Sequence, residues 1–139
     1  MPYYAVIDTN ILVSALLTKH EDAATLKIMR AVFSGVIIPL YHTDIITEYI
    51  EVLSRPKFHF KSETIQTMIN AIVTNGIAVT PDPTGEILPD MDDLIFYEVT
   101  MSKRNENAYL VTGNLKHYPN RSYIVDASEM VHIMQENSD

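Results

Sequence analysis

The chain has 139 residues, 47% of them hydrophobic, and 18 acidic against 10 basic residues give it a formal net charge of −8. This composition predicts one globular domain over residues 1–139, and the lack of cysteine excludes disulfides and thiolate metal sites. The acidic balance argues against broad electrostatic binding of nucleic acid, although an enzyme that meets phosphates through divalent cations stays possible.

The chain opens with an apolar stretch, residues 3–7, that runs directly into Asp8. A continuously apolar strand is typical of a parallel strand covered on both faces, and ligands of such sheets bind beyond the carboxyl ends of the strands. Asp8 is therefore a candidate site residue, and N-capping of the next helix is the alternative. Thr9 and Asn10 follow it with small hydrogen-bonding groups, and residues 11–17 are again apolar.

Cap signals, stop signals and hydrophobic periodicity predict a series of helices separated by short apolar strands. The predicted helices are residues 23–33 with Asp22 as N-cap, 43–53, and 63–74 with Ser62 as N-cap. Two more follow: one that residues 90–93 introduce and that runs to about residue 103, and 127–135 behind a capping box of Asp126 and Glu129. The further predicted strands are residues 36–40, 77–80, 108–111 and 123–125.

Five short strands alternating with helices predict an α/β fold, a three-layer sandwich with a five-stranded parallel sheet between helices. Residues 81–89, which contain three prolines, are expected to form a loop. No apolar run approaches the length of a membrane span, and the N-terminus does not read as a signal peptide. We therefore expect a cytoplasmic protein with no membrane partner.

Two further acidic positions follow from the helix patterns. Glu48 falls on the flank of the buried stripe of its helix, so its carboxylate can lean into a cleft, with a solvated flank position as the alternative. The predicted stripe is Ile45, Ile46, Tyr49, Ile50 and Leu53. Asp90, Asp92 and Asp93 crowd one helix N-terminus, where capping explains one aspartate. Gathered carboxylates raise one another's pKa, which favours a hard cation such as Mg²⁺ or Mn²⁺.

The strand that ends in Thr112 and Gly113 is followed by Asn114. If this strand lies beside the first one at the switch point of the sheet, Asp8 and Asn114 face each other across a crevice. Asn114 then offers a neutral oxygen or a hydrogen bond, with a plain turn residue as the alternative. Of the five histidines, His117 is the one that could reach this site.

Ser14 is predicted near the start of the first helix. Its hydroxyl could hydrogen-bond a site carboxylate, and the alternative is a serine at the edge of the core. No glycine-rich phosphate loop and no serine nucleophile motif occur in the chain.

Asp8-Thr9-Asn10, Glu48, Asp92-Asp93 and Val111 to Asn114, taken in order, resemble the motifs of the PIN-domain family. More narrowly, the chain resembles the VapC-like bacterial proteins that are toxin components of toxin–antitoxin pairs. The likeness covers nearly the whole chain and is closest in residues 6–17, 48–58 and 108–114.

This resemblance implies an endoribonuclease that depends on Mg²⁺ or Mn²⁺ and cuts single-stranded or loop regions of RNA. It assigns Asp8, Glu48 and Asp93 as catalytic metal ligands that converge around the ion, with Asp92 as a neighbour. It also implies a homodimer, a type II toxin role, and an antitoxin protein that covers the acidic cleft.

Most relatives have Asp where this chain has Asn114, which argues against a second metal because a charged ligand is missing. A branch with Thr-Gly-Asn-x-x-His, an aromatic residue and Pro resembles residues 112–119 better, so the change is not read as inactivation. The alternative function is a catalytically weak or inactive PIN fold that binds RNA or a partner protein. An aspartyl-phosphate hydrolase is disfavoured because Asn10 stands where a second acid is wanted.

Overall fold

A computed structural model of the chain describes residues 2–137, so the outermost residues of the predicted domain, 1 and 138–139, lie outside it. The strands are β1 (Tyr3–Ile7), β2 (Ile37–Tyr41), β3 (Ile77–Ala78), β4 (Tyr109–Val111) and β5 (Ile124–Val125). The α-helices are α1 (Thr9–Leu17), α2 (Ala24–Ser34), α3 (Thr43–Leu53), α4 (Ser62–Asn75), α5 (Leu94–Ser102) and α6 (Ala127–Glu136).

The strands form a parallel sheet in the order β3-β2-β1-β4-β5. β1 is the central strand, with Ala5 paired to Pro39 of β2 on one side and to Tyr109 of β4 on the other. Its inner residues, Ala5 to Ile7, are fully buried, as a strand covered on both faces requires. The predicted α/β fold with a five-stranded parallel sheet flanked by helices is therefore confirmed.

The winding of the chain places the switch point beside β1. The chain first moves outward through β2 to β3, and then returns to place β4 on the opposite side of β1. The carboxyl ends of β1 and β4 therefore border the crevice in which open α/β sheets bind ligands.

Tyr49 connects α3 to the end of β1. Its side chain is fully buried, its ring centroid lies 6.2 Å from that of Phe96 in α5, and its hydroxyl donates a hydrogen bond to the Ile7 carbonyl. Because Ile7 directly precedes Asp8, this bond holds the helix that carries Glu48 against the strand that carries Asp8.

Several local predictions differ from the structure. α2 begins at Ala24 after Ala23 as N-cap, so Asp22 does not cap it and instead lies in a turn. α4 begins at Ser62 itself, with Lys61 at the N-cap. Ile50, predicted to be buried, is 44% exposed, because α3 buries a narrower face made of Ile45, Tyr49 and Leu53.

Other local predictions are confirmed. Asp126 accepts a hydrogen bond from the Glu129 backbone N–H at 2.8 Å, and the Glu129 side chain accepts one from the Asp126 backbone, which completes the predicted capping box. The acidic segment at residues 91–93 forms a short 3₁₀ turn that leads into α5.

None of the helices within residues 2–137 is both long and apolar enough to cross a lipid bilayer.

Gly76 fills a tight space between α4 and β2. A methyl group built on it would lie 2.4 Å from the carbonyl oxygens of both Ile72 and Pro39. We expect Gly76→Ala to lower the free energy of unfolding by about 2 kcal/mol, because the backbone must shift to admit the methyl group. Urea denaturation measures this change.

Gly35 provides the matched control. It ends α2 in the left-handed conformation (φ 84°), and nothing lies within 4 Å of a methyl group added there. Gly35→Ala should therefore cost only the left-handed strain, about 1 kcal/mol. If Gly76→Ala proves no more destabilising than Gly35→Ala, the close approach of Gly76 to Pro39 is wrong.

Candidate active site

An open cleft of about 740 Å³ lies at the carboxyl ends of β1 and β4. Asp8 reaches it from the end of β1, Glu48 from α3, and Asp93 from the turn before α5. Asn114 reaches it from the segment after β4. The fold thus brings three acids that are far apart in the chain to one cleft, together with the following residues at its wall or rim: Thr9, Asn10, Ser14, Arg55, Phe58, Asp90 and His117.

Asp8 is the deepest of the three acids, with only 6% of its surface exposed. It stands at the N-cap of α1 but its side chain makes no capping bond, so the N-cap alternative does not account for this carboxylate. Instead, Asp8 Oδ2 accepts hydrogen bonds from Thr112 Oγ1 at 2.7 Å and from the Tyr118 hydroxyl at 3.1 Å. Burial raises the pKa of Asp8, and these two hydrogen bonds partly oppose that rise.

Glu48 is half-buried beside Asp8. Its Oε2 accepts a hydrogen bond from the hydroxyl of Thr9, a buried residue at the start of α1. Burial raises the pKa of Glu48, and the negative charges of Asp8 and Asp93 add to the rise. Glu48 therefore faces the cleft and not bulk solvent, which excludes the solvated-flank alternative.

Asp93 is paired with a histidine. Its side chain is 15% exposed, and Asp93 Oδ2 lies 3.0 Å from His117 Nδ1. The pKa of Asp93 is raised by burial and by the charge of Asp8, whereas His117 lowers it. The structure thus brings His117 into the site.

The other two aspartates of the acidic segment have different surroundings. Asp92 is exposed and borders a neighbouring surface depression with Glu51 and Ile95, not the main cleft. Asp90 accepts a hydrogen bond from the Asp92 backbone N–H at 3.0 Å, so it caps the short turn. One cap and one surface residue therefore accompany Asp93.

Asn10 and Gly113 fasten the two sides of the cleft to each other. Asn10 Oδ1 accepts a hydrogen bond from the Gly113 backbone N–H at 2.9 Å, across the boundary between β1 and β4. A methyl group on Gly113 would lie 3.2 Å from that oxygen, so a side chain here would press on Asn10. Asn10 acts in this way as a brace for the segment that carries Asn114.

Ser14 does not make the predicted hydrogen bond to a site carboxylate. Its hydroxyl lies 3.2 Å from Thr25 Oγ1, and the residue is exposed at the rim of the cleft without a bond to a carboxylate. Ser14 lies four residues after Asn10 and six after Asp8, more than one turn of α1 from the Asp8 carboxylate, which puts its short side chain out of reach.

Sequence reasoning missed three residues of this region, Tyr118, Arg55 and Phe58. Tyr118 bonds Asp8 directly, and its only sequence signal was its place as the aromatic residue after His117. Arg55 and Phe58 line the cleft from the segment between α3 and α4. Their one sequence signal was their place in residues 48–58, one of the stretches that resemble the PIN-domain motifs.

The donor set suits a hard divalent cation, because every candidate ligand is an oxygen. A side-chain donor holds one oxygen of each carboxylate, namely Asp8 Oδ2, Glu48 Oε2 and Asp93 Oδ2. Over residues 2–137 no side-chain donor is bonded to the other oxygen of any of them. Within this range, one oxygen of each acid therefore has no side-chain donor, and the Thr9 backbone N–H also donates to the Asp8 carboxylate.

The three acids share the cleft without forming a finished ligand set. In the described part of the chain, no three Asp, Glu or His side chains stand close enough together to hold an ion as they are placed. The three acids therefore line one cleft, as expected, but within residues 2–137 they are not placed at distances that would coordinate a single ion.

Tyr118 should tune Asp8 without contacting substrate. In Tyr118→Phe one hydrogen bond to the Asp8 carboxylate is lost, so the pKa of Asp8 should rise further and the acid limb of any pH–rate profile should move to higher pH. We expect the rate of any metal-dependent reaction at this site to drop by about 10-fold to 100-fold. Tyr123→Phe, whose hydroxyl contacts Met101 and not an acid, is the control.

Comparisons with known proteins give the family and the fold of the chain. The family model described as PIN domain matches residues 4–116, a range that contains Asp8, Glu48, Asp93 and Asn114. The crystal structure of PAE2754 from Pyrobaculum aerophilum is similar to this chain with a TM-score of 0.58 and 13% identity, over 98% of this chain and 91% of that chain. At that identity the likeness bears on the fold alone. No curated protein gives a match.

Proposed function

The chain belongs to the PIN-domain family, whose members are generally nucleases, and on this premise we propose that it is a metal-dependent endoribonuclease that cleaves single-stranded RNA. The observation that carries the proposal is the meeting of Asp8, Glu48 and Asp93 in one cleft at the switch point of the sheet, each with a raised pKa. Buried like charges of this kind are typical of sites that work with a cation.

Asp8, Glu48 and Asp93 would hold Mg²⁺ or Mn²⁺, and Asn114 could add a neutral oxygen. When bound, such an ion lowers the pKa of water and offsets the charge that builds on phosphate oxygens during hydrolysis. The surrounding residues orient the acids. Thr112 and Tyr118 hold Asp8, while Thr9 and His117 do the same for Glu48 and Asp93.

We further propose that the protein is the toxin of a type II toxin–antitoxin pair and acts as a homodimer. The support is the resemblance of residues 6–17, 48–58 and 108–114 to VapC-like proteins, together with an open acidic cleft that a partner segment could cover. Growth arrest on expression, relieved by the product of a neighbouring small reading frame, is the expected result. Normal growth would contradict the toxin role and leave the nuclease proposal intact.

A fluorogenic single-stranded RNA assay tests the nuclease proposal. Cleavage is expected with Mn²⁺ or Mg²⁺ and should stop when EDTA removes the ion. Cleavage that is insensitive to EDTA, or none with any divalent metal, would overturn the proposal. RNA binding without cleavage would favour the alternative, an inactive PIN fold that binds RNA.

A further inference from the structure

A short segment between α3 and α4 concentrates positive charge and aromatic rings. Residues 55–61, which we call the basic–aromatic turn, read Arg-Pro-Lys-Phe-His-Phe-Lys and contain three of the ten Lys and Arg residues of the chain. No acidic residue occurs between Glu51 and Glu63, although the chain as a whole carries a net charge of −8. The turn is thus a local exception to the acidic character of the protein.

The turn has a defined backbone. Pro56–Phe58 forms a single 3₁₀ turn, with the Phe58 N–H bonded to the Arg55 carbonyl at 3.1 Å. His59 follows in the left-handed conformation with φ 56°, which non-glycine residues adopt only where the surrounding structure specifies it. The backbone of the turn therefore follows a defined path beside the cleft.

The two phenylalanine rings have different roles. They stack with centroids 5.4 Å apart and an angle of 10° between the planes. Phe60 packs against the hydrophobic core, whereas among the described residues that pack on that core Phe58 is not found. Phe58 instead lines the acidic cleft. Phe60 is thus a support, and Phe58 is an aromatic surface at the edge of the site.

Two cations lie in this region, Arg55 at the cleft and Lys57 over the Phe58 ring. Arg55 lines the same cleft as Phe58. Its ion pair with Glu51 is long, at 3.7 Å, and the two side chains are 48% and 70% exposed, so this pair constrains the guanidinium weakly. Lys57 Nζ lies 5.1 Å from the centroid of the Phe58 ring and is exposed. Cations beside an aromatic face form the usual platform for single-stranded nucleic acid, where a base stacks on the ring and phosphates meet the charges.

We propose that the basic–aromatic turn is the RNA-binding rim of the cleft, with one base stacked on Phe58 and the neighbouring phosphates on Arg55 and Lys57. This inference rests on the proposed nuclease function, since it identifies how that substrate is held. The acidic remainder of the surface repels phosphates, so the local positive charge directs the strand to the cleft. Bases inside a duplex already stack on one another and cannot stack on Phe58, which favours single-stranded RNA.

Binding is measured without cleavage, so that the test does not depend on activity. A fluorescein-labelled oligouridine is titrated with the Asp8→Asn protein in EDTA and followed by fluorescence anisotropy. Adding Phe58→Leu should weaken binding about tenfold. Adding Phe58→Tyr, which keeps the ring, should restore it. Phe33→Leu, an exposed phenylalanine of α2 that does not line the cleft, is the matched control and should change nothing.

The charges are tested by the salt dependence of the same binding. Lys57→Gln should reduce the slope of log affinity against log salt by about 0.7, as expected for one lost phosphate contact to a single strand. Lys27→Gln on α2 is the control and should leave the slope unchanged.

Three outcomes overturn the inference: no binding of oligouridine, equal binding by Phe58→Leu and its parent, or an equal loss toward duplex RNA. Cleavage by the wild type together with unimpaired binding by Phe58→Leu would remove the inference and spare the nuclease. Weakened binding by Phe58→Leu together with no cleavage in any metal would support the RNA-binding rim and overturn the nuclease proposal. Matching melting temperatures of Phe58→Leu and its parent show that a loss is not caused by unfolding.

Discussion

Asp8→Asn should lower the RNA cleavage rate by about 10³-fold or more while the protein stays folded. The substitution removes the negative charge of the deepest acid in the cleft but preserves its shape. The amide oxygen of asparagine can still accept the hydrogen bonds that Thr112 and Tyr118 now donate to Asp8 Oδ2. Initial rates on a fluorogenic RNA measure the effect, and circular dichroism checks the fold.

Asp44→Asn is the matched control, because Asp44 lies on α3 like Glu48 but its side chain is 73% exposed. It should keep nearly full activity. Asp93→Asn should lose RNA cleavage activity as Asp8→Asn does. Asp92→Asn should keep a cleavage rate close to that of the wild type, because Asp92 lies outside the main cleft. Similar rates for Asp8→Asn and Asp44→Asn would remove Asp8 from the catalytic machinery.

Divalent cations should stabilise the wild-type protein strongly. An ion that binds only the folded state adds about 2.7 kcal/mol at 100 times its dissociation constant, which is a rise in Tm of roughly 8–10 °C for a domain of this size. The physical reason is that burial already raises the pKa of Asp8, Glu48 and Asp93, and the negative charge of Asp8 adds to the rise at Glu48 and Asp93. Differential scanning fluorimetry with Mn²⁺ and with EDTA measures the shift.

The same raised pKa values set the pH dependence without metal. A carboxyl group whose pKa is higher in the folded state contributes stability below its unfolded pKa, near 4, and this contribution is lost as pH rises through the folded value. In EDTA, the contribution of these three groups should therefore decrease from acidic to neutral pH. The stabilisation by Mn²⁺ should increase over the same range, because the ion binds the ionised acids.

Asp8→Asn separates this linkage from a general salt effect. In EDTA at neutral pH it should be about 1 kcal/mol more stable than the wild type, since a buried charge is gone. It should also lose most of the Mn²⁺ response. An unchanged Mn²⁺ shift in Asp8→Asn would mean that the ion binds elsewhere on the surface.

The amino-acid sequence by itself determined the class of fold. Strand and helix identity depend on local patterns, such as the apolar run of residues 3–7 and the capping box of Asp126 and Glu129, and these signals lie within a few residues of one another. The order of the motifs then indicated which acids to follow. Asp8 and Glu48 became candidates because one follows a predicted strand and the other lies at the edge of a buried helix face. Asp93 was selected from its cluster by the resemblance to the PIN-domain motifs.

Only the tertiary structure decided which faces are covered and which partners each acid has. Ile50 follows the helical period and is still 44% exposed, because within residues 2–137 the buried face of α3 is that of Ile45, Tyr49 and Leu53. Tyr118 is 110 residues away from Asp8 in the chain, and their hydrogen bond exists because the sheet order puts β4 beside β1. Phe58 likewise lines the cleft because the fold brings the segment after α3 close to Asp8 and Asp93, which belong to other parts of the chain. Local sequence signals extend over a few residues, whereas the contacts that make this site join residues separated by dozens.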